Sequence, residues 1–167
     1  MQFKVGEVVV HSAHGVGKIV RLEEKRLGGQ ARLYYEVTTH TSTVWVPVDA
    51  DEAYGLRSVT AKDELERCRG LLRSRPTSLN KDAHQRHLEI IGRLRQGSLQ
   101  ATCEVVRDLT ARSWQKPLNE ADSLSLRRAR EGLCQEWAAS GSMSLAEATG
   151  EVEALLSEAR RAYAAAC

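Results

Sequence analysis

Short β-branched runs broken by glycines open the chain, apolar positions recur at three- and four-residue steps later, and this change of pattern divides it into two parts. In residues 3–20, FKVGEVVVHSAHGVGKIV, the β-branched Val5, Val8, Val9 and Val10 are interrupted by Gly6, Gly15 and Gly17. That composition predicts two short strands joined by a compact turn. Leu27, Gly28, Gly29 and Gln30 mark a hairpin between residues 16–25 and 32–38, and His40, Thr41 and Ser42 a weaker turn before a strand at 43–48. Residues 50–54 read as a short helical turn and 55–59 as a final short strand. Four or five short strands in so little chain close only as a small, strongly twisted, barrel-like sheet. Such a module offers a docking surface rather than a catalytic cleft.

From Thr60 the period becomes helical, so the expected domains are residues 1–59 and 60–167. Thr60 and Asp63 resemble a capping box, opening a helix with Leu65, Cys68, Leu71 and Leu72 on one face and an end near Ser74. Arg75 and Pro76 break it. Asn80 is expected to cap a second helix whose buried face is Ala83, His87, Ile90, Ile91 and Leu94, with Asp82, Arg86, Glu89, Arg93 and Gln96 outward. Gly97 stops it. Ser98 caps a third helix with Cys103, Val106 and Leu109 inward, and Trp114 to Leu118 reads as a linker. Asn119 opens a fourth helix containing Leu124, Leu126, Ala129, Leu133 and Trp137. Ser144 and Glu147 form a capping box for a terminal helix with Val152, Leu155, Leu156 and Ala159. The class is therefore α+β: a small β-barrel module followed by an all-α domain of about five helices.

Charge sharpens the division. Residues 1–58 carry seven basic and seven acidic side chains, whereas residues 67–95 carry eight basic against two acidic, a local +6. Residues 118–167 carry a local −3. A basic block attracts a polyanion, nucleic acid first among them, although a solvated helix surface has the same composition. Cys68, Cys103, Cys134 and Cys167 are scattered with no CxxC, as expected of reduced thiols in a cytoplasm. No apolar run reaches a membrane span and no leader opens the chain, so a soluble, intracellular protein without membrane contact is expected. His11 with His14, and His84 with His87, lack completing ligands and read as turn or packing histidines. The glycines form neither GxGxxG nor a phosphate loop, and no GxSxG is present. No enzyme, cofactor or metal is expected.

The ordered series FKVGEVVV, HGVGKI, a Gly-Gly hairpin, LYYEV, VWVPV and YGLR, continued by Gly97-Ser98, EVVRDL and the Leu126, Ala129, Arg130 helix, resembles the CarD/CdnL family of bacterial transcription regulators over nearly the whole chain. The resemblance implies a Tudor-like β domain that binds the β subunit of RNA polymerase and a helical domain that touches promoter DNA beside the melted region. The same β module occurs in transcription-repair coupling factors, where it also binds polymerase. By position, polymerase docking maps to Lys25, Trp45, Val46 and Pro47, with Trp45 standing where the family often has arginine. If Val44 and Val46 point inward, Trp45 points out.

The resemblance also implies a tryptophan wedge at the start of the second helix of the helical domain, and this chain has Ala83 there. An alanine cannot reach into an unstacked step. Leu79, His84 and His87 are nearby but weaker substitutes, and Lys81, Arg86, Arg93, Arg112, Arg127 and Arg128 are the candidates for phosphate contact. The expected protein is a monomeric, nucleoid-associated regulator that binds promoter DNA weakly and without much sequence preference, modulating open-complex stability. The alternative is a polymerase-binding adaptor that has lost the wedge activity.

Overall fold

The computed structural model describes residues 3–50 and 55–166; the helical turn expected at 50–54 lies, Ala50 apart, outside them. The chain divides into two compact units, Met1–Val59 and Thr60–Cys167.

In the first unit, β1 (Val8–His11), β2 (Gly15–Leu27), β3 (Gln30–Thr39), β4 (Thr43–Pro47) and β5 (Leu56–Ser58) form one antiparallel sheet in the order β4-β3-β2-β1-β5. β2 and β3 are longer than the sequence pattern suggests, and their ladder runs to Leu27 opposite Gln30. The turn between them needs positive φ at two successive residues, which Gly28 (+67°) and Gly29 (+88°) supply. At Gly17 the requirement is space: a Cβ there would meet Val37 Cγ1 at 2.7 Å and the Thr38 carbonyl at 3.0 Å. Phe3, Val9, Ile19, Tyr35, Val37, Val46 and Leu56 make one core. Val46 and Leu56 come from opposite edge strands, so the sheet curls until its two margins share the same interior. The Tyr35 hydroxyl accepts from the Phe3 amide at 3.2 Å and ties the first described residue to that core.

The β2–β3 register shifts between Ile19 and Arg21. Ile19 is buried, whereas Val20 and Arg21 are both exposed. A bulge that turns two successive side chains outward re-aims the rest of the strand. Here it puts Arg21 on the outer face, opposite Glu36.

In the second unit a 3-10 turn (Lys62–Glu64) leads into α1 (Leu65–Arg73), followed by α2 (Ala83–Leu94), α3 (Leu99–Gln115), α4 (Glu120–Gly141) and α5 (Leu145–Ala166). α3 is the central helix, with Leu99, Cys103, Val105, Val106 and Leu109 in a core shared with Leu65, Leu72, Ile90, Leu133, Trp137 and Val152. Ser98 caps α3 by accepting from the Ala101 amide, and Asn119 caps α4 by accepting from Asp122. The Ser144–Glu147 capping box is reciprocal, each side chain accepting from the other's amide at 3.1 Å. No helix among the described residues is long and apolar enough to cross a membrane.

Four local expectations are corrected. Thr60 caps nothing: its hydroxyl and amide donate to Glu136 Oε1 at 2.7 and 3.1 Å, anchoring the start of the unit to α4. Asp82, not Asn80, is the N-cap of α2, while Asn80 Oδ1 accepts from the Asp82 amide one step earlier. Trp114 belongs to the last turn of α3 rather than to a linker, and its ring lies 5.5 Å from that of Tyr163 on α5. Ala83, expected on the buried face, is exposed at the first position of α2, whose buried residues begin a turn later with Arg86 and Ile90.

Candidate docking and nucleic-acid interfaces

On the outer face of the β unit, strand register aligns three residues in a row: Arg21 opposite Glu36, and Glu36 opposite Trp45. Val46 is buried and Val44 packs against the core from the same strand, so alternation turns the Trp45 ring outward. Lys25 Nζ stands 3.1 Å from the ring centroid and Arg21 Cζ 5.5 Å from it. Arg21 is itself held by Glu36 Oε2 at 2.7 Å and Glu23 Oε2 at 3.3 Å. The result is a half-buried aromatic surface covered by one cation and flanked by another. A cation over a ring is worth about 0.5–1 kcal/mol at exposed sites, enough to orient the indole without hiding it.

The structure brings Lys25, Trp45 and Pro47 to the side of the sheet bounded by β4, an edge strand. Pro47 is half-buried beside Tyr34 and closes that strand. Val46 is a correction: its side chain is core, with 4% exposure, so only its backbone can face a partner.

His11 and His14 lie at the other end of the sheet. His11 Nδ1 accepts from the amides of Ala13 at 3.0 Å and His14 at 3.3 Å, closing the β1–β2 turn. Burial, and secondarily the neighbouring His14, hold His11 below the usual histidine range, which keeps Nδ1 an acceptor. Among the described residues no group of three or more His, Cys, Asp or Glu side chains could hold a metal ion.

In the helical unit the seven candidate DNA contacts separate into two kinds. Lys81 and His84 are exposed at the start of α2, Arg127 and Arg128 are exposed on α4, and Arg112 is half-buried near the end of α3. Leu124 is also exposed, and the steps of three and four residues place it on the same face of α4 as Arg127 and Arg128. That puts an apolar position beside two arginines, a juxtaposition the helical spacing alone carries.

Arg86 and Arg93 are corrections. Arg86 is 3% exposed; its Nε donates to Asp122 Oδ2 at 2.8 Å, and its Nη1 to the carbonyls of Asn80 at 3.0 Å and Lys81 at 3.3 Å. Arg93 is half-buried and donates to Asp108 Oδ2 at 3.0 Å and Glu104 Oε2 at 3.4 Å. Helical spacing alone points both outward, because a buried arginine needs a carboxylate from a distant helix, which spacing does not reveal. With Arg69 paired to Glu66 and Glu151, three of the eight basic side chains in residues 67–95 are held by carboxylates. The charge available to a polyanion is correspondingly smaller than the sequence suggests.

The EVVRDL segment has a role of its own. Arg107 donates to Asp108 Oδ1 at 2.8 Å, Ser74 Oγ at 2.9 Å and Thr77 Oγ1 at 3.2 Å, while Asp108 Oδ1 also accepts from the Thr77 amide at 2.9 Å. These bonds, with those of Arg86, pin the Pro-containing connection between α1 and α2 and thereby fix where α2 begins. Cys68, Cys103 and Cys134 are unbridged and buried. A hydrogen bond with Cys68, together with burial, pushes the Cys103 thiol well up, so it stays protonated.

Comparison with known proteins bears on both units. Residues 3–60 match the model of the CarD-like/TRCF RID domain, and residues 68–153 match that of the CarD C-terminal domain. The chain is 28% identical over 136 residues to "Putative transcription factor YdeB" of Bacillus subtilis (strain 168), an alignment covering 80% of this chain and 89% of the relative.

Proposed function

Since the chain belongs to the CarD family of transcription regulators, we propose that it docks on the β subunit of RNA polymerase through its β unit and contacts promoter DNA through its helical unit. The observation that carries the docking half is the outward Trp45 ring, covered by Lys25 and flanked by Arg21 beside the β4 edge. An ordered, half-exposed tryptophan is the residue type that most often anchors an interface, because it loses little freedom and buries much area. Pro47 and the Val46 backbone complete the contact.

DNA contact rests on Lys81, His84, Arg127 and Arg128, all exposed, with Arg112 at the margin. Side chains of this kind bind phosphates and position the duplex without reading its sequence. Holding a melted junction open requires an inserted apolar side chain. Ala83 is exposed where the family resemblance implies the wedge, so its methyl faces solvent with nothing to insert. The same observation favours a second reading, an adaptor that keeps polymerase binding and contributes little to the melted junction.

The test is retention of the full chain by isolated β subunit, followed by addition of promoter DNA over a range of salt. Retention with a salt-sensitive DNA shift supports the first reading, and retention without any DNA shift the second. No retention overturns both.

A further inference from the structure

We propose that the connection between α1 and α2, from Arg73 to Lys81, is a rigid phosphate-binding ridge for duplex DNA. This deepens the DNA contact proposed above, on which it rests, and adds Arg73 and Arg75 to it. Residues 73–81, RSRPTSLNK, hold three basic side chains and no acidic one. Arg73, Arg75 and Lys81 are all exposed.

Among the eight basic side chains of residues 67–95, those with carboxylate partners and those without fall in different places. Arg69, Arg86 and Arg93 lie on helices and are held by carboxylates. Arg67, Arg73, Arg75, Lys81 and Arg95 are exposed and make no ion pair among the described residues. Three of those five stand within nine residues of chain, so the charge left for a partner is concentrated at the connection. The next carboxylates along the chain are engaged at α2: Asp82 Oδ1 accepts from the Gln85 amide at 2.8 Å, and Glu89 Oε1 accepts from Asn80 Nδ2 at 3.1 Å.

The way the connection is held is an independent observation. It has no helix or strand of its own after Arg73. Even so, Arg107 donates to Ser74 Oγ and Thr77 Oγ1, Asp108 accepts from the Thr77 amide, and Arg86 donates to the carbonyls of Asn80 and Lys81. Arg86 and Arg107 are only 3% and 8% exposed. Burying a guanidinium is costly even when it is paired. Here both buried guanidiniums fix the backbone and hydroxyls of the connection, and its own cations stay outside. Groups ordered in advance lose less freedom on binding.

The chemistry of the ridge matches a sugar-phosphate backbone. Phosphate contacts come from Arg, Lys and Ser or Thr hydroxyls, and Ser78 is exposed among the three cations. The core of a protein partner's interface would be more apolar. The apolar residues of the connection, Pro76 and Leu79, are half-buried, and Leu79 packs on the helical core.

Binding of the full chain to a short labelled duplex, followed by fluorescence anisotropy over a range of salt, tests the ridge. Arg73→Gln with Arg75→Gln should leave the melt unchanged and lower the slope of log affinity against log salt by about two. Arg73→Lys with Arg75→Lys should keep the slope, because counterion release depends on charge. Arg67→Gln with Arg95→Gln removes the same charge outside the connection and should leave the slope nearly unchanged. An equal loss of slope in both glutamine pairs, or an unchanged slope in the connection pair, would overturn the ridge alone. Polyglutamate that competes as well as duplex of equal charge would overturn its assignment to DNA. No duplex binding by wild type even at low salt would overturn the ridge together with the DNA half of the proposed function.

Discussion

Replacing Arg86 with alanine removes a cation that sequence spacing places on the DNA-facing surface and the structure places inside the helical unit. Asp122 is 1% exposed; its Oδ2 accepts from Arg86, and its Oδ1 has no hydrogen-bond partner. With Arg86 gone, the carboxylate stays buried without compensation. Breaking a buried pair by deleting one partner costs about 3–5 kcal/mol. Two carbonyls of the connection before α2, Asn80 and Lys81, lose their donor at the same time. For a unit of roughly a hundred residues, with an unfolding entropy near 2.1 cal/mol/K per residue, that loss lowers the melting temperature by about 14–24 °C. Thermal melting of the full chain, read by the helical circular dichroism signal, measures it directly. Adding Asp122→Leu to an Arg86→Met variant should recover most of the loss, because replacing both charges by apolar groups is close to neutral. A shift of only a degree or two in Arg86→Ala, with weakened DNA binding, would refute the reasoning and return Arg86 to the surface.

Further outcomes follow from the same geometry. Arg127→Glu with Arg128→Glu should reduce both the affinity for duplex DNA and its salt dependence without altering the melt, whereas an unchanged salt slope in a gel-shift titration would move the interface elsewhere. Ala83→Trp should leave folding intact, since the position is exposed, and should lengthen the lifetime of the open promoter complex; wild-type protein that already prolongs it strongly would contradict the missing-wedge argument. Glu151 accepts from the Trp137 indole at 2.9 Å and from Arg69 at 3.1 Å, and the indole bond first, then Arg69, hold its carboxyl below the usual 4.5. A depressed carboxylate contributes stability that is fully present above its unfolded value and lost as pH falls through the folded one. Glu151→Gln should therefore flatten the acid limb of the stability profile below about pH 4.5 and leave the limb above neutrality untouched.

Much of this architecture is legible in the sequence because it is local. The Gly28-Gly29 turn, the Ser98 and Asn119 caps and the Ser144–Glu147 box each need only neighbouring residues, and each is present. The outward Trp45 also follows from alternation with Val44 and Val46. What escapes is long-range pairing. Thr60 is three residues before Asp63 and looks like a cap, yet Glu136 on α4 takes both its donors. Arg86 and Arg93 sit on the polar side of a helical wheel, yet Asp122 and Asp108 from other helices bury or half-bury them. The +6 of residues 67–95 is a sum over residues and carries no information about which charges are already neutralised. Trp114 reads as linker for a related reason: Pro117 marks the end of a helix, but the sequence does not show how many turns precede it.

The central claim is that the β unit docks on polymerase through Trp45, and binding of the full chain to isolated polymerase β subunit, wild type against Trp45→Ala, tests it most directly. The variant should melt like wild type, because the ring lies outside the core formed by Val44 and Val46, and should bind more weakly by about 1–3 kcal/mol, the range for an interface anchor. Lys25→Ala should lose less, about the 0.5–1 kcal/mol of an exposed cation over a ring. Equal binding by folded wild type and Trp45→Ala, or no binding by wild type at all, would contradict it.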